Sequence, residues 1–216
     1  MSEIAPSPRQ RLNALLAEAG QSPLDEDQIR QFESYYSLLI RWNTRVNLTA
    51  IRDQEGILAR HFVESIACAR LLPAGICTLL DFGSGAGFPG IPIALCRRGI
   101  MVTLAESQGK KAAFLREAVR VLGIAAKVHS GRAEALLALF DCVTLRAVDR
   151  MEVTVHAAGR LVRPGGWLAL MTTGNASDAQ RAAAGAEFAW LQLLPLPGTQ
   201  NRLLALGIRD SGAASQ

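Results

Sequence analysis

The chain has 216 residues, of which half are hydrophobic, and a formal net charge of +4. Such a length suits one α/β domain with a modest extension, and the apolar content suffices for a sizeable core. The sequence argues against a membrane-spanning or exported protein, because no apolar run approaches about 18 residues and Met1 to Gln10 lacks a charged-then-apolar signal pattern. We therefore expect a cytoplasmic protein, with a monomer as the default.

Residues 1–74 have helical periodicity and predict an N-terminal helical cap. Ser7 is a good N-cap because Pro8 follows it in the first turn, and Asp25 is another because Gln28 lies three residues later. The first helix should end at Gly20, and a third helix should run from about Glu55 to Leu72. The apolar face of the second helix is predicted to carry Ile29, Phe32, Tyr36, Leu39 and Ile40.

Residues 75–210 alternate short apolar runs with helical segments, and 211–216 read as a flexible tail. Such an alternation predicts a doubly wound, mostly parallel sheet with ligands at the carboxyl ends of its strands. Arg163 to Gly166 should make a sharp turn into the fifth strand, and the last strands should form an antiparallel hairpin. The predicted strands are Ile76–Phe82, Ile100–Ala105, Ala126–His129, Cys142–Arg146, Trp167–Met171, Phe188–Leu194 and Leu203–Ile208. The predicted helices are Pro89–Arg98, Gln108–Leu122, Ala133–Ala138 and Met151–Leu161.

A glycine-rich loop follows the first predicted strand and is the strongest functional signal in the chain. It contains Gly83, Ser84, Gly85, Gly87 and Phe88, and Asp81 precedes it at the strand end. Alternate glycines allow a ligand to approach the backbone closely. The segment from Gly85 to Gly90 also fits a dinucleotide pattern, but counting from Gly83 gives Gly-x-Gly-x-Gly after an acidic residue. That register favours S-adenosylmethionine (AdoMet), whose cationic amino-acid tail suits a carboxylate.

Glu106 closes the second predicted strand, 23 residues after Gly83. A carboxylate there can accept both hydroxyls of a ribose, which fits AdoMet and NAD equally. Basic residues outnumber acidic ones by fifteen to ten in residues 76–216, whereas residues 1–75 hold eight basic and nine acidic ones. This excess is compatible with a polyanionic substrate and also with a solvated helix face.

Several motifs in chain order resemble the RsmG (GidB) family of bacterial 16S rRNA guanine-N7 methyltransferases. The resemblance extends from about Leu12 to Ile208, and its most specific part is the unbroken Gly-Ser-Gly-Ala-Gly-Phe-Pro-Gly of the loop. The matching segments are Trp42-Asn43, Asn47 to Ile51, His61 to Ser65, Asp81 to Gly90, Glu106, Lys110-Lys111, Phe114-Leu115, Arg132 to Glu134 and Arg146-Ala147. Two positions depart from the family pattern, with Glu64 in place of an aspartate and Thr173 in place of a lysine.

The resemblance implies a class I methyltransferase with a Rossmann-like sheet. It would move the AdoMet methyl group to N7 of guanine 527 in 16S rRNA, leaving S-adenosylhomocysteine, on a small subunit or its assembly intermediate. It implies cofactor contacts at Gly83, Phe88, Glu106 with its neighbour Ser107, Ala133, Glu134 and Arg146. Arg132 and Arg146 would face the substrate. Lys110 and Lys111 are further candidates for RNA contact.

The chemistry agrees with this resemblance, because guanine N7 carries a lone pair and no proton, so its methylation needs alignment and no general base. The loop after the fourth strand begins with Arg146 and lacks the Asn/Asp-Pro-Pro-aromatic signature of amino-group methyltransferases. Arg146 could bind guanine O6 or a phosphate, or could form a structural ion pair with Glu134 or Asp149. A small-molecule methyltransferase and an NAD-binding Rossmann protein remain as alternatives.

Polar residues of the cap are candidates for closing the site: Asn47, Thr49, His61 and Ser65. His61 and Ser65 are four residues apart and so share a helix face, although such residues often serve as helix caps instead. The four cysteines form no Cys-x-x-Cys pair and the chain has only three histidines. We expect buried free thiols and no metal site.

Overall fold

The computed structural model describes residues 6–146, 151–198 and 201–212. Helices and a single mixed sheet make up most of these residues. Within this part of the chain no helix is long and apolar enough to cross a membrane. Asp149 and the tail residues 213–216, about which the sequence makes predictions, lie outside the described residues.

The N-terminal helices begin where the sequence predicts. Ser7 and Asp25 each form a capping box with the glutamine three residues later, and Gly20 follows the first helix with φ of 65°. The third predicted helix is interrupted by a π-helical turn, in which Glu64 donates its amide to the carbonyl of His61. The bounds are α1 Pro8–Glu18, α2 Glu26–Asn43, α3 Gln54–Ile57, the π-helical turn Leu58–Val63 and α4 Glu64–Leu71.

The remaining elements build the sheet and its covering helices. The strands are β1 Thr78–Phe82, β2 Met101–Ala105, β3 Ala126–His129, β4 Phe140–Arg146, β5 Val162–Thr173, β6 Phe188–Trp190, β7 Leu194–Pro195 and β8 Arg202–Arg209. The helices are α5 Gly90–Cys96, α6 Gly109–Leu122, α7 Met151–Gly159 and α8 Ser177–Ala183.

The sheet has the order β3-β2-β1-β4-β5-β8-β6, with β7 paired to β8. The first five strands are parallel, and β8 runs antiparallel to both β5 and β6. The predicted doubly wound, mostly parallel sheet with an antiparallel last strand is confirmed. The order reverses between β1 and β4, and a crevice forms at the carboxyl ends of strands on either side of such a reversal. The glycine loop leaves β1 at this place.

Two local predictions are wrong, and one helix is absent from the predictions. The Arg163 to Gly166 segment lies inside β5, where the register jumps from Phe140–Val162 to Cys142–Trp167, so it forms a bulge rather than a turn before the strand. The helix predicted over Ala133–Ala138 is a single 3-10 turn, Ala133–Ala135. Residues 130–139 must recross the sheet between β3 and β4. Because extended backbone covers about twice the length of helix per residue, this short connection is extended rather than helical. Helix α8 was not predicted.

One hydrophobic core joins the cap to one face of the sheet. Buried side chains of α1, α2 and α4 belong to the same cluster as residues of β1, β2, α5 and α6. The other face is covered by a second cluster that includes α7 residues. Tyr35, and not the predicted Tyr36, is fully buried in the first cluster. The predicted burial of the thiols holds for Cys68 and Cys142, but Cys77 is exposed.

Candidate active site

The glycine loop after β1 adopts the backbone conformations that its sequence predicts. Gly83, Gly85 and Gly87 have φ values of 73°, 55° and 92°, a region that favours glycine. The Ser84 amide donates to the carbonyl of Ala105 at 2.9 Å, which ties the loop to the end of β2. A Cβ on Gly85 would meet nothing closer than 3.9 Å, so this part of the loop leaves room beside the backbone.

Glu106 lies against the loop at the end of β2. One carboxylate oxygen accepts the Gly85 amide at 2.9 Å and the other accepts the Gln108 amide at 2.7 Å. The side chain is buried, yet it lines the cleft beside the loop. Each oxygen has a further lone pair, so the carboxylate can accept hydroxyl groups of a ligand while it holds the loop.

Asp81 lies beneath the loop. Its side chain is 1% exposed, and its two oxygens accept the Gly90 amide at 3.2 Å and the Thr144 hydroxyl at 3.1 Å. Burial raises the pKa of this carboxyl to about 6, although hydrogen bonds from Ser84, Thr144 and Gly90 and the charge of Arg146 oppose the shift. These contacts tie β1 to β4 and to the start of α5, so Asp81 supports the loop from below.

The cap packs directly on the loop. Tyr35 of α2 donates its hydroxyl to the Ala86 carbonyl at 2.5 Å, and the Phe88 ring packs between Tyr35 and His61 at centroid distances of 5.1 and 4.9 Å. The fit is close, since a Cβ on Gly87 would lie 2.9 Å from the Tyr35 oxygen. The loop conformation therefore depends on the cap as well as on the sheet.

Arg146 ends β4 and reaches the cap. Its guanidinium donates to Glu64 at 3.1 Å, to Ser65 at 3.3 Å and to the Arg60 carbonyl, and its side chain is only 9% exposed. Burial lowers the pKa of this group, whereas the Glu64 carboxylate raises it. Within the described residues its ion-pair partner is Glu64 and not the Glu134 considered from the sequence, while the other candidate, Asp149, lies outside them. Glu64 is itself 1% exposed and also lies 3.9 Å from Arg202.

His61 connects Arg146 to Thr49. Its Nδ1 is 3.2 Å from an Arg146 nitrogen and its Nε2 is 2.7 Å from the Thr49 hydroxyl. Burial and the nearby charges of Arg146, Arg60 and Arg202 lower the pKa of His61 to about 3, so the ring is neutral at physiological pH. A guanidinium can only donate, so we infer that the proton is on Nε2 and is donated to Thr49.

The Thr49 hydroxyl oxygen accepts two hydrogen bonds. Its oxygen accepts from His61 and from the Ile51 amide at 3.2 Å, which leaves its own proton free to be donated elsewhere. Asn43 fixes the surrounding backbone, because its side chain bonds the Leu48 and Thr49 amides and the Thr49 carbonyl. Thr49 lines the cleft, so its proton is available to a ligand.

The cleft between cap and loop has a volume of about 490 Å³. Of the residues predicted from the sequence, it is lined by Thr49, His61, Gly83, Ser84, Gly85, Phe88, Glu106, Lys111 and Arg146. The other predicted residues do not line it: Asn47, Ser65, Asp81, Gly87, Ser107, Lys110, Arg132, Ala133 and Glu134. Arg132 and Glu134 are exposed beside the 3-10 turn, and Asn47 bonds Arg52 at 2.8 Å.

Two arginines that the sequence reasoning missed also line the cleft. Arg60 precedes His61 in the π-helical turn, and Arg202 begins β8. Arg60 could have been predicted, because it directly precedes the motif His61 to Ser65 that matches the family. Arg202 has no local signal, since only the antiparallel return of β8 beside β5 brings it to the carboxyl end of the sheet.

A protein-family model described as rRNA small subunit methyltransferase G, GidB, matches residues 28–199. The chain belongs to this family. It is 44% identical over 151 residues to the ribosomal RNA small subunit methyltransferase G of Xanthomonas campestris pv. campestris strain B100, covering 68% of this chain and 70% of the relative. With the enzyme of the same name from Stenotrophomonas maltophilia strain K279a the identity is 48% over 140 residues, covering 63% and 65%.

Solved structures agree on the fold. Cofactor-bound Rv0187 from MTB has a TM-score of 0.61 at 17% identity, covering 95% of this chain and 99% of that chain. A predicted O-methyltransferase from Agrobacterium tumefaciens has a TM-score of 0.58 at 23% identity, covering 69% and 81%. The fold is that of class I methyltransferases, as the resemblance implied.

The residues of the cleft fit AdoMet, the cofactor of this family. The carboxylate of Glu106 would be available to ribose hydroxyls, and Gly83 and Gly85, with open space beside Gly85, would let the cofactor approach the backbone. Within the described residues no group of three or more histidine, cysteine or acidic side chains is placed to hold a metal ion.

Proposed function

We propose that this chain transfers the methyl group of AdoMet to N7 of a guanine in 16S rRNA, at position 527 in the usual numbering. We assign residues 1–74 to a helical cap and residues 75–210 to the catalytic domain. We propose that the protein is a monomer and acts in the cytoplasm on the small subunit or on an assembly intermediate. The observation that carries it is the placement of the neutral His61, the buried Arg146 and the donor Thr49 opposite the glycine loop.

AdoMet supplies, when bound, an electrophilic methyl group on a sulfonium. Transfer of that group to guanine would form a carbon–nitrogen bond from the N7 lone pair and would leave the electrons of the broken sulfur–carbon bond on sulfur. The positive charge would pass to the purine, so no proton would have to be removed. The chain's residues therefore need only to place the base and to exclude water.

Thr49 is suited to place the base. Guanine presents N7 and O6 on one edge, both of them acceptors. A hydroxyl whose proton cannot point towards His61 or Ile51 can donate to O6 and leave N7 free for the methyl group. Arg146 has both terminal nitrogens bonded to protein acceptors, so we assign it the part of holding His61 and adding positive charge at the cleft.

Cations around the cleft suit the RNA backbone. Lys111, Arg60 and Arg202 line the cleft, and Arg202 lies 3.9 Å from the Glu64 carboxylate. Phosphates flanking the guanine can pair with the exposed Arg60 and with the half-buried Lys111. We assign Lys111 and Arg60 to such contacts.

The experiment that tests the proposal uses small subunits from cells that lack the protein. The purified chain and AdoMet should add one methyl group per 16S rRNA, and mass spectrometry of nuclease fragments should place it on the 527 guanine as 7-methylguanine. Calorimetry should detect binding of S-adenosylhomocysteine to the same preparation. The function is wrong if the cofactor binds and neither free rRNA, assembly intermediates nor finished subunits gain the methyl group.

A further inference from the structure

A second depression lies beside the active cleft, between the end of α2 and the first turns of α6. Its volume is about 500 Å³, similar to that of the cleft. It is lined by Arg41, Trp42, Arg45, Val46, Lys110 and Glu117. We call this depression the α2–α6 groove.

The charges of the groove are unevenly paired. The Glu117 carboxylate accepts from Arg41 at 2.6 Å and from the Trp42 indole nitrogen at 2.9 Å, so it offsets the charge of Arg41. Arg45 and Lys110 are both exposed. The groove therefore has two solvent-facing cations beyond the pair that Glu117 balances, which suits an anion.

The groove also has an apolar wall. Trp42 is half-buried and fixed, because its ring packs edge-on against Phe114 at 5.8 Å while its nitrogen is held by Glu117. Val46 is half-buried one helical turn further along the chain. An aromatic surface beside free cations is the arrangement that binds single-stranded nucleic acid, with bases or sugars on the ring and phosphates on the cations.

The groove adjoins the active cleft through two consecutive lysines. Lys110 lines the groove and Lys111 lines the cleft, both in the first turn of α6. Their Cα atoms are about 3.8 Å apart, and their side chains leave the helix about 100° apart. A polyanion that leaves the cleft past Lys111 therefore meets Lys110 next.

We propose that the α2–α6 groove binds a nucleotide of the rRNA strand flanking the target guanine, with its base or sugar against Trp42 and its phosphate on Arg45 and Lys110. This inference rests on the proposed function, because it takes the rRNA as the substrate. It adds a second contact site outside the cleft. It also gives Lys110 and Lys111, which are adjacent in sequence, separate contacts with the same RNA strand.

The experiment compares Arg45→Glu, Lys110→Glu and the control Arg120→Glu with the parent chain. Arg120 is an exposed cation on the same helix, ten residues or about 15 Å beyond Lys110, so the control makes the same charge change away from the groove. Each protein is assayed for KM and kcat on small subunits at several salt concentrations, for binding of protein-free 16S rRNA and for binding of S-adenosylhomocysteine.

For each groove variant we expect KM and the Kd for 16S rRNA to rise roughly three- to tenfold, and the salt dependence to fall by about one unit of log–log slope. The cofactor Kd and kcat should stay within about twofold, and Arg120→Glu should match the parent chain. Equal KM values in the groove variants and Arg120→Glu would overturn the proposal. So would a raised KM on subunits with unchanged binding of protein-free rRNA, which would identify a ribosomal protein as the occupant. If the parent chain itself adds no methyl group to rRNA, the proposed function has failed instead.

Discussion

The hydroxyl of Tyr35 in the cap donates a hydrogen bond to the carbonyl of Ala86 in the glycine loop. Both residues are buried, so water cannot replace this bond. The contact makes the shape of the cofactor loop depend on a helix more than fifty residues away in sequence.

The Tyr35→Phe variant should therefore weaken cofactor binding. Loss of the hydroxyl leaves the Ala86 carbonyl without this partner, a cost of about 1–3 kcal/mol, and loosens the loop. We expect a rise of about tenfold in the Kd for S-adenosylhomocysteine, measured by calorimetry. Tyr36→Phe is the matched control and should bind like the parent chain. Unchanged affinity in Tyr35→Phe would show that the sheet alone holds the loop.

Glu64→Gln should destabilise the protein. The change removes the counter-charge of the buried Arg146 and leaves the shape of the side chain nearly intact, which should lower the free energy of unfolding by about 3 kcal/mol. Urea denaturation measures this. Glu55→Gln removes one of the two carboxylate partners of Arg11 at the surface, the other being Glu18, and should cost much less. Similar losses of unfolding free energy in the two variants would mean that burial does not make the Arg146–Glu64 pair more important for stability than a surface pair.

Asp81→Asn should change how stability varies with pH. The native pKa of Asp81 is about 6, above the value near 4 of an unfolded aspartate, so the folded protein binds more protons between these values. The contribution of Asp81 to the free energy of unfolding is therefore fully present below pH 4 and is lost as pH rises through 6, by about 3 kcal/mol. Asparagine removes this loss. We therefore expect the free energy of unfolding of the variant to rise relative to that of the parent between pH 4 and pH 7. Urea denaturation at a series of pH values measures this difference. A difference that does not change with pH would refute the raised pKa of Asp81.

Thr49→Val should slow methyl transfer and leave the cofactor bound. Valine keeps the shape and removes the donor, so kcat/KM on small subunits should fall about ten- to hundredfold, the equivalent of one lost hydrogen bond in the transition state. Thr49→Ser keeps the hydroxyl, and its kcat/KM should stay within about threefold of the parent value. A valine variant as active as the parent would show that Thr49 does not position the base.

In the parent chain kcat should not change from pH 6 to 8 through His61, since the pKa of this histidine is held at about 3.

Features set by short stretches of sequence were predicted well. The N-caps at Ser7 and Asp25, the glycine loop and the mostly parallel sheet with an antiparallel last strand depend on neighbouring residues and on general rules of α/β topology. Glu106 lines the cleft with the loop because the ends of adjacent parallel strands share one edge of the sheet.

Features that depend on tertiary packing were not predicted. Tyr35 and Tyr36 both border the apolar stripe of α2 and both contact Phe62, but only Tyr35 also packs against Phe88 and is fully buried. Arg132 and Glu134 stay exposed beside a 3-10 turn. Arg202 reaches the cleft from near the far end of the chain, through a strand pairing that no local pattern encodes.

The π-helical turn at Leu58–Val63 holds one more residue than a regular helix would need. The chain should therefore be sensitive to the deletion of one residue in this turn. In an ordinary helix the Glu64 amide would occupy the Arg60 carbonyl, which here accepts Arg146 instead. Deletion of a single residue from this turn would restore regular winding and rotate everything before it by about 100° relative to α4. That rotation would break the core that α1 and α2 share with α4 and would separate Arg60 from Arg146, so the spacing of this segment matters as much as its composition.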